Sequence, residues 1–212
     1  MKFCVIGLGR LGYQVATGLA QNGMEIMAID SDASIIASIR DHVTQAICMR
    51  VADEESLKSI GIEEIQTAIV ATGENFSQSI LITALLKKLG VSRVIARAIN
   101  EMHKDILKLI GADRVILPEQ EVGTRLADTL SLPFVDMFRL AKNFSISQII
   151  APQKFVGKTP RELELFVKYN VNFIGVKEDE KTITRDLDYT IENNDKLIFS
   201  GENKNLEKIA RL

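Results

Sequence analysis

Three glycines that follow the first apolar run constrain this chain more than any other residues. Phe3-Cys4-Val5-Ile6 leads into Gly7-Leu8-Gly9-Arg10-Leu11-Gly12, and the next apolar run, Met24-Glu25-Ile26-Met27-Ala28-Ile29, closes on Asp30. Strand, glycine turn, helix and a second strand ending in an acid form the pattern of a dinucleotide-binding βαβ unit. Each residue type has a physical role: Gly7 permits the tight turn, Gly9 lets backbone approach a pyrophosphate, and Gly12 lets the helix pack close to the strand. Phosphate then meets the free N–H groups and positive dipole end of a helix N-terminus. Asp30 is placed to accept hydrogen bonds from ribose hydroxyls, which favours an adenosine without a 2′-phosphate. NAD, ATP, ADP and AMP all meet that condition.

The remaining composition narrows the function class. The chain has 212 residues, 46% of them hydrophobic, and a formal net charge of -2, enough for one large domain or two small ones. No concentrated Lys/Arg block is present to neutralise a phosphate backbone, so no nucleic-acid partner is expected. Cys4 and Cys48 lie in apolar strand-like runs without metal-ligand spacing and are expected as buried thiols in a reducing compartment. No run reaches the roughly 18 apolar residues of a membrane span, and residues 1–6 lack the features of a signal peptide, so a cytoplasmic chain without direct membrane insertion is expected.

Periodicity predicts the rest of an α/β, Rossmann-like, doubly wound parallel sheet with strand order 3-2-1-4-5-6. After Asp30 a helix capped by Ser31 or Asp32 runs to about Arg40, followed by a strand at Val43 to Ile47 and a short helix at Glu54 to Ser59. A strand at Thr67 to Ala71, a helix at Asn75 to Leu89, a strand at Arg93 to Ala98, a helix at Glu101 to Ile110 and a strand at Arg114 to Leu117 complete residues 1–118 as the first domain. Residues 119–142 are predicted as a helical connector, Glu119 to Leu130 and then Phe134 to Leu140, bent at Pro133. Residues 143–212 read as a small α+β domain with strands at Phe144 to Ala151, Asn172 to Lys177, Thr182 to Leu187 and Lys196 to Ser200. Thr159, Pro160 and Glu162 mark a helix start with a capping box, Asn194-Asp195 a turn, and Leu206 to Leu212 a terminal helix.

These residues together resemble the RCK family (regulators of potassium conductance), and within it the Ktr/Trk-type potassium-uptake regulatory subunits. The resemblance rests on the glycine turn, on Ala71-Thr72-Gly73-Glu74-Asn75, Lys88-Leu89-Gly90-Val91, Ala96-Arg97-Ala98, Gly111-Ala112-Asp113-Arg114-Val115-Ile116 and Leu117-Pro118-Glu119, and in the second domain on Phe155 to Leu163 and Asn194 to Ile198. It implies a cytosolic homodimer assembling into an octameric ring beneath a separate potassium-translocating membrane subunit, with ATP/ADP or NAD(H) in the first domain gating transport. It further implies cyclic di-AMP in the C-terminal lobe and, as in some relatives, a divalent cation at Glu119, although an acid in the first turn of its helix that stabilises the helix dipole is the reading the residue itself favours. Carried over residue by residue, the implied nucleotide contacts are Gly7, Gly9, Arg10, Leu11, Gly12, Asp30, Ser31, Arg50, Ala71, Thr72 and Gly73, with Arg10 as a phosphate contact. One departure stands out: many relatives carry Gly-Asp-Ala-Thr-Asp after the third strand, where this chain has Met49-Arg50-Val51-Ala52-Asp53.

The alternative is an NAD-dependent oxidoreductase, since the same fold serves both roles. Hydride transfer needs a proton donor or acceptor beside the nicotinamide. The chain has two histidines, His42 and His103, both expected as surface or interface residues, and no Tyr-x-x-x-Lys pair. A binding protein without catalysis is the expectation.

Overall fold

A computed structural model describes residues 2–72, 75–131, 134–177, 183–184 and 186–212. The chain divides into two compact units, Met1–Glu119 and Gln120–Leu212.

The first unit alternates strand and helix: β1 (Lys2–Ile6), α1 (Arg10–Gln21), β2 (Glu25–Asp30), α2 (Ala33–Ile39), β3 (Gln45–Cys48), α3 (Glu54–Lys58), β4 (Thr67–Val70), α4 (Phe76–Lys88), β5 (Arg93–Arg97), α5 (Glu101–Leu109) and β6 (Arg114–Ile116). The six strands are all parallel in the order β3-β2-β1-β4-β5-β6, as the periodicity predicts. Successive side chains of a strand point to opposite faces, so the apolar runs feed two cores. Cys4, Ile6, Met27, Ile29 and Val70 pack with Ile82 and Leu86 of α4 on one face. Val5, Ala28 and Ile69 pack with Ala16 of α1 and Ile36 and Ile39 of α2 on the other. Asp32, not Ser31, caps α2, its carboxylate accepting from the Ser34 amide at 2.8 Å.

Two side chains lie elsewhere than the sequence predicts. Cys48 is exposed, because it ends β3, which lies at the edge of the sheet. His103 is 1% exposed rather than at the surface, because the first turn of α5 faces α4.

The helix α6 (Pro118–Ser131) carries the chain across the unit boundary. The second unit holds β7 (Asp136–Ala141), β8 (Phe144–Ile150), α7 (Pro160–Leu163), α8 (Leu165–Tyr169), β9 (Val171–Lys177), β10 (Ile183–Thr184), β11 (Lys196–Glu202) and α9 (Asn203–Ala210), with an antiparallel sheet in the order β10-β9-β11-β8-β7. The helix expected at Phe134 to Leu140 is therefore a strand. A segment of about seven residues gains little as an isolated helix, whereas pairing with β8 satisfies its backbone and buries Met137. The strand expected at Thr182 to Leu187 is confined to Ile183–Thr184, and Asp186 to Asp188 lie outside any strand; Thr182 and Arg185 fall outside the described residues. The Thr159 capping box forms as expected, and Asn194 takes the left-handed conformation (φ 69) in its turn. Phe155, Phe199, Leu197, Leu206 and Ile209 form the core.

Candidate nucleotide-binding site

The turn after β1 is shaped by two glycines that the fold requires and one that it does not. Gly7 has φ +89, and a Cβ there would lie 2.6 Å from the backbone nitrogen of Thr72. A Cβ on Gly12 would lie 1.8 Å from the Gly7 carbonyl oxygen, so this glycine lets α1 start directly against the turn. A Cβ on Gly9 would meet nothing within 4 Å. Gly9 is the N-cap of α1, and its carbonyl accepts the Tyr13 amide at 2.9 Å. The amides of Arg10, Leu11 and Gly12 precede that bond and have no carbonyl of their own helix to reach.

Asp30, at the end of β2, closes the turn from the other side. Its Oδ2 accepts the Leu8 amide at 2.6 Å and its Oδ1 the Asp32 amide at 2.9 Å. Each carboxylate oxygen keeps a further lone pair, so these bonds orient the group without exhausting it as an acceptor.

A cleft of about 190 Å³ opens here, at the carboxyl ends of the strands, where the order reverses between β1 and β4. It is lined by Ile6, Gly7, Gly9, Ile29, Asp30, Ser31, Met49, Val51, Thr72, Asn75 and Gln78. Gly9 caps α1, and Asn75 caps α4 by accepting the Gln78 amide at 3.1 Å, so two helix N-termini meet at one cleft. That arrangement favours an anion. The Thr72 hydroxyl is buried and has no hydrogen-bond partner among the described residues. A buried hydroxyl left unpaired is costly, and a ligand oxygen or water would relieve it.

Of the residues expected at the site, Gly7, Gly9, Asp30, Ser31 and Thr72 line the cleft. Gly12 acts through its packing on Gly7. The Leu11 side chain packs on the core beneath α1, and Ala71 is buried in the same core. Arg10 and Arg50 are exposed and do not line the cleft; Gly73 lies outside the described residues. Glu119 pairs with Arg97, with 2.5 Å between oxygen and guanidinium nitrogen. Its own backbone amide and the Arg97 guanidinium hold its carboxyl below the usual range. No group of three metal-ligating side chains occurs among the described residues. Val51, Asn75 and Gln78 were not among the expected contacts. The available signal was Asn75, a strong N-cap residue type before an apolar helix.

The TrkA-N domain matches residues 3–118 and the TrkA-C domain residues 146–212. Ktr system potassium uptake protein C of Bacillus subtilis (strain 168) is 32% identical over 212 residues, covering 99% of this chain and 96% of that protein. Among solved structures, the GsuK channel bound to NAD superposes with a TM-score of 0.54 at 22% identity, over 99% of this chain and 38% of that one. GsuK bound to ADP gives 0.54 at 28% identity over 61% of this chain and 33% of that one. The chain thus spans about two fifths or less of those channel proteins. With a glycine turn, an acid and two helix N-termini around one cleft, and both domain matches in sequence, the chain belongs to the TrkA-N/TrkA-C family of the Ktr and Trk potassium uptake proteins.

Proposed function

We propose that this chain is a cytoplasmic, nucleotide-sensing regulatory subunit of a potassium-uptake transporter, and that it binds without catalysing. The observation that carries this reading is the lining of the cleft: among the described residues its one titratable side chain, Asp30, is engaged with the Leu8 and Asp32 amides, and the other polar groups there suit binding. The residues fit an adenine nucleotide. The bare backbone at Gly9 and the first amides of α1 would hold phosphate, Asp30 a ribose hydroxyl, Met49 and Val51 an apolar base, and Thr72 a further oxygen. ATP/ADP and NAD(H) both suit this set. The NAD and ADP complexes of GsuK support it by analogy.

Gating requires that the ligand bind two shapes of the assembly with different affinity, since equal affinity shifts nothing. The assembly proposed is a homodimer built into an octameric ring on a potassium-translocating membrane subunit. Val122, Leu126 and Leu130 are exposed at i, i+4 and i+8 of α6 and give a stripe for self-association. A divalent cation at Glu119 would need carboxylates from a second copy and would compete with Arg97. Cyclic di-AMP in the second unit completes the proposal.

The test is potassium uptake in cells that lack their own uptake systems and express a Ktr-type membrane subunit. Uptake stimulated by this chain and lost with Asp30→Ala supports the reading. Uptake indifferent to the chain overturns it.

A further inference from the structure

His103 plays no part in the lining of the cleft, yet both nitrogens of its ring are hydrogen-bonded. Nε2 lies 2.7 Å from Ser79 Oγ, and the Ile99 amide donates to Nδ1 at 3.4 Å. An amide can only donate, so Nδ1 accepts and Nε2 carries the proton. Ser79 Oγ then accepts from Nε2 and donates its own hydrogen to the Phe76 carbonyl at 3.0 Å. The Phe76 ring sits 4.5 Å from the imidazole, centroid to centroid. The histidine backbone is fixed as well, its amide donating to Asn100 Oδ1 at 2.8 Å. Ser79 and His103 are both buried.

The Nε2 bond to Ser79, the Ser79 bond to Phe76 and the ring contact all fall on the first turn of α4, while the Ile99 and Asn100 bonds fix the histidine on its own helix. The Ser79 amide donates to the Asn75 carbonyl at 3.1 Å and the Gln78 amide to Asn75 Oδ1, so the turn that His103 grips is the one that brings Asn75 and Gln78 to the cleft. We infer that His103 is a positioning residue for the nucleotide site, fixing the N-terminus of α4 through Ser79 and Phe76. Rigid pre-orientation of binding groups raises affinity by removing an ordering cost at the moment of binding. This inference rests on the reading of the cleft as a nucleotide site.

The test is calorimetric titration of the full chain with NAD. His103→Phe keeps a ring against Phe76 and deletes both nitrogens, His103→Gln keeps a donor where Nε2 stands, and Ser79→Ala removes the same bond from the other side. The Phe and Ala variants should bind NAD about three- to tenfold more weakly, as expected for one neutral hydrogen bond. Their combination should cost no more than the larger single change, and Gln should recover most of the loss. Amide exchange at Phe76 to Ser79 should accelerate in the Phe and Ala variants before any ligand is added. Folded variants that bind NAD as tightly as the wild type would overturn the positioning role while leaving the site intact. A wild-type chain that binds none of ATP, ADP, NAD and NADH would overturn the nucleotide reading itself and this inference with it; where ATP or ADP binds in place of NAD, the same comparison of variants is made with that nucleotide. If His103→Phe fails to fold, Ser79→Ala carries the same test.

Discussion

Asp30 accepts the backbone amide of Leu8 at 2.6 Å, so the acid that ends β2 fixes the glycine turn that ends β1. The residue expected to read a ribose is at once the clasp of the phosphate turn. Asp30→Asn should therefore affect both, since an amide has one acceptor oxygen where the carboxylate has two. We expect a loss of about 1–2 kcal/mol in stability, measured by denaturant unfolding, together with weaker nucleotide binding. Unchanged stability would mean that the Leu8 contact contributes nothing.

The glycines should separate fold from ligand. Gly12→Ala forces a Cβ against the Gly7 carbonyl oxygen and should destabilise the first unit by about 1–3 kcal/mol or more. Gly9→Ala has open space and should stay within about 0.5 kcal/mol of the wild type while reducing nucleotide affinity. Thermal unfolding alongside titration checks both. Equal stability losses at the two positions would contradict the distinction.

Burial holds the His103 imidazole below its ordinary pKa. The unfolded chain takes up that proton near pH 6.5, above the folded value, so stability falls as the pH drops through the window between them. The neighbours Phe76, Ser79, Ile99 and Asn100 bring no charge. Of the charged groups on the surrounding elements, Glu101 pairs with Lys104, Arg97 with Glu119 and Lys87 with Asp113. Unfolding midpoints of the wild type should drop more than those of His103→Phe between about pH 7.5 and 5.5. Parallel curves would remove His103 as the source.

The two thiols should react unequally. Cys4 is fully buried in β1 and burial pushes its thiol up, whereas Cys48 is exposed at the sheet edge. A thiol-specific reagent should consume one equivalent per native chain and the second only after unfolding. Two equivalents reacting natively would contradict the packing of β1.

The first unit was legible because its signals are local. Apolar runs of four to six residues between helical spacings dictate a parallel sheet, and the glycine turn places its own switch point. Residues 134–140 were not, because Phe134, Met137 and Leu140 satisfy a helical period and the strand β8 that claims them comes later in the chain. Long-range pairing also hid His103, whose partner Ser79 lies twenty-four residues upstream on another helix. The expected Arg10 contact shows the reverse: a cation beside a glycine turn is conspicuous in sequence, yet its side chain stands exposed outside the cleft lining. Gln78 left no comparable mark, since a glutamine in the first turn of a helix has many uses.

Calorimetric titration of nucleotide-stripped protein with ATP, ADP, NAD and NADH tests the central claim most directly. Saturable binding of at least one of them, with affinity reduced by Asp30→Ala and by Gly9→Ala, is the predicted result. Absence of saturable binding for all four, in protein that unfolds cooperatively, would contradict it.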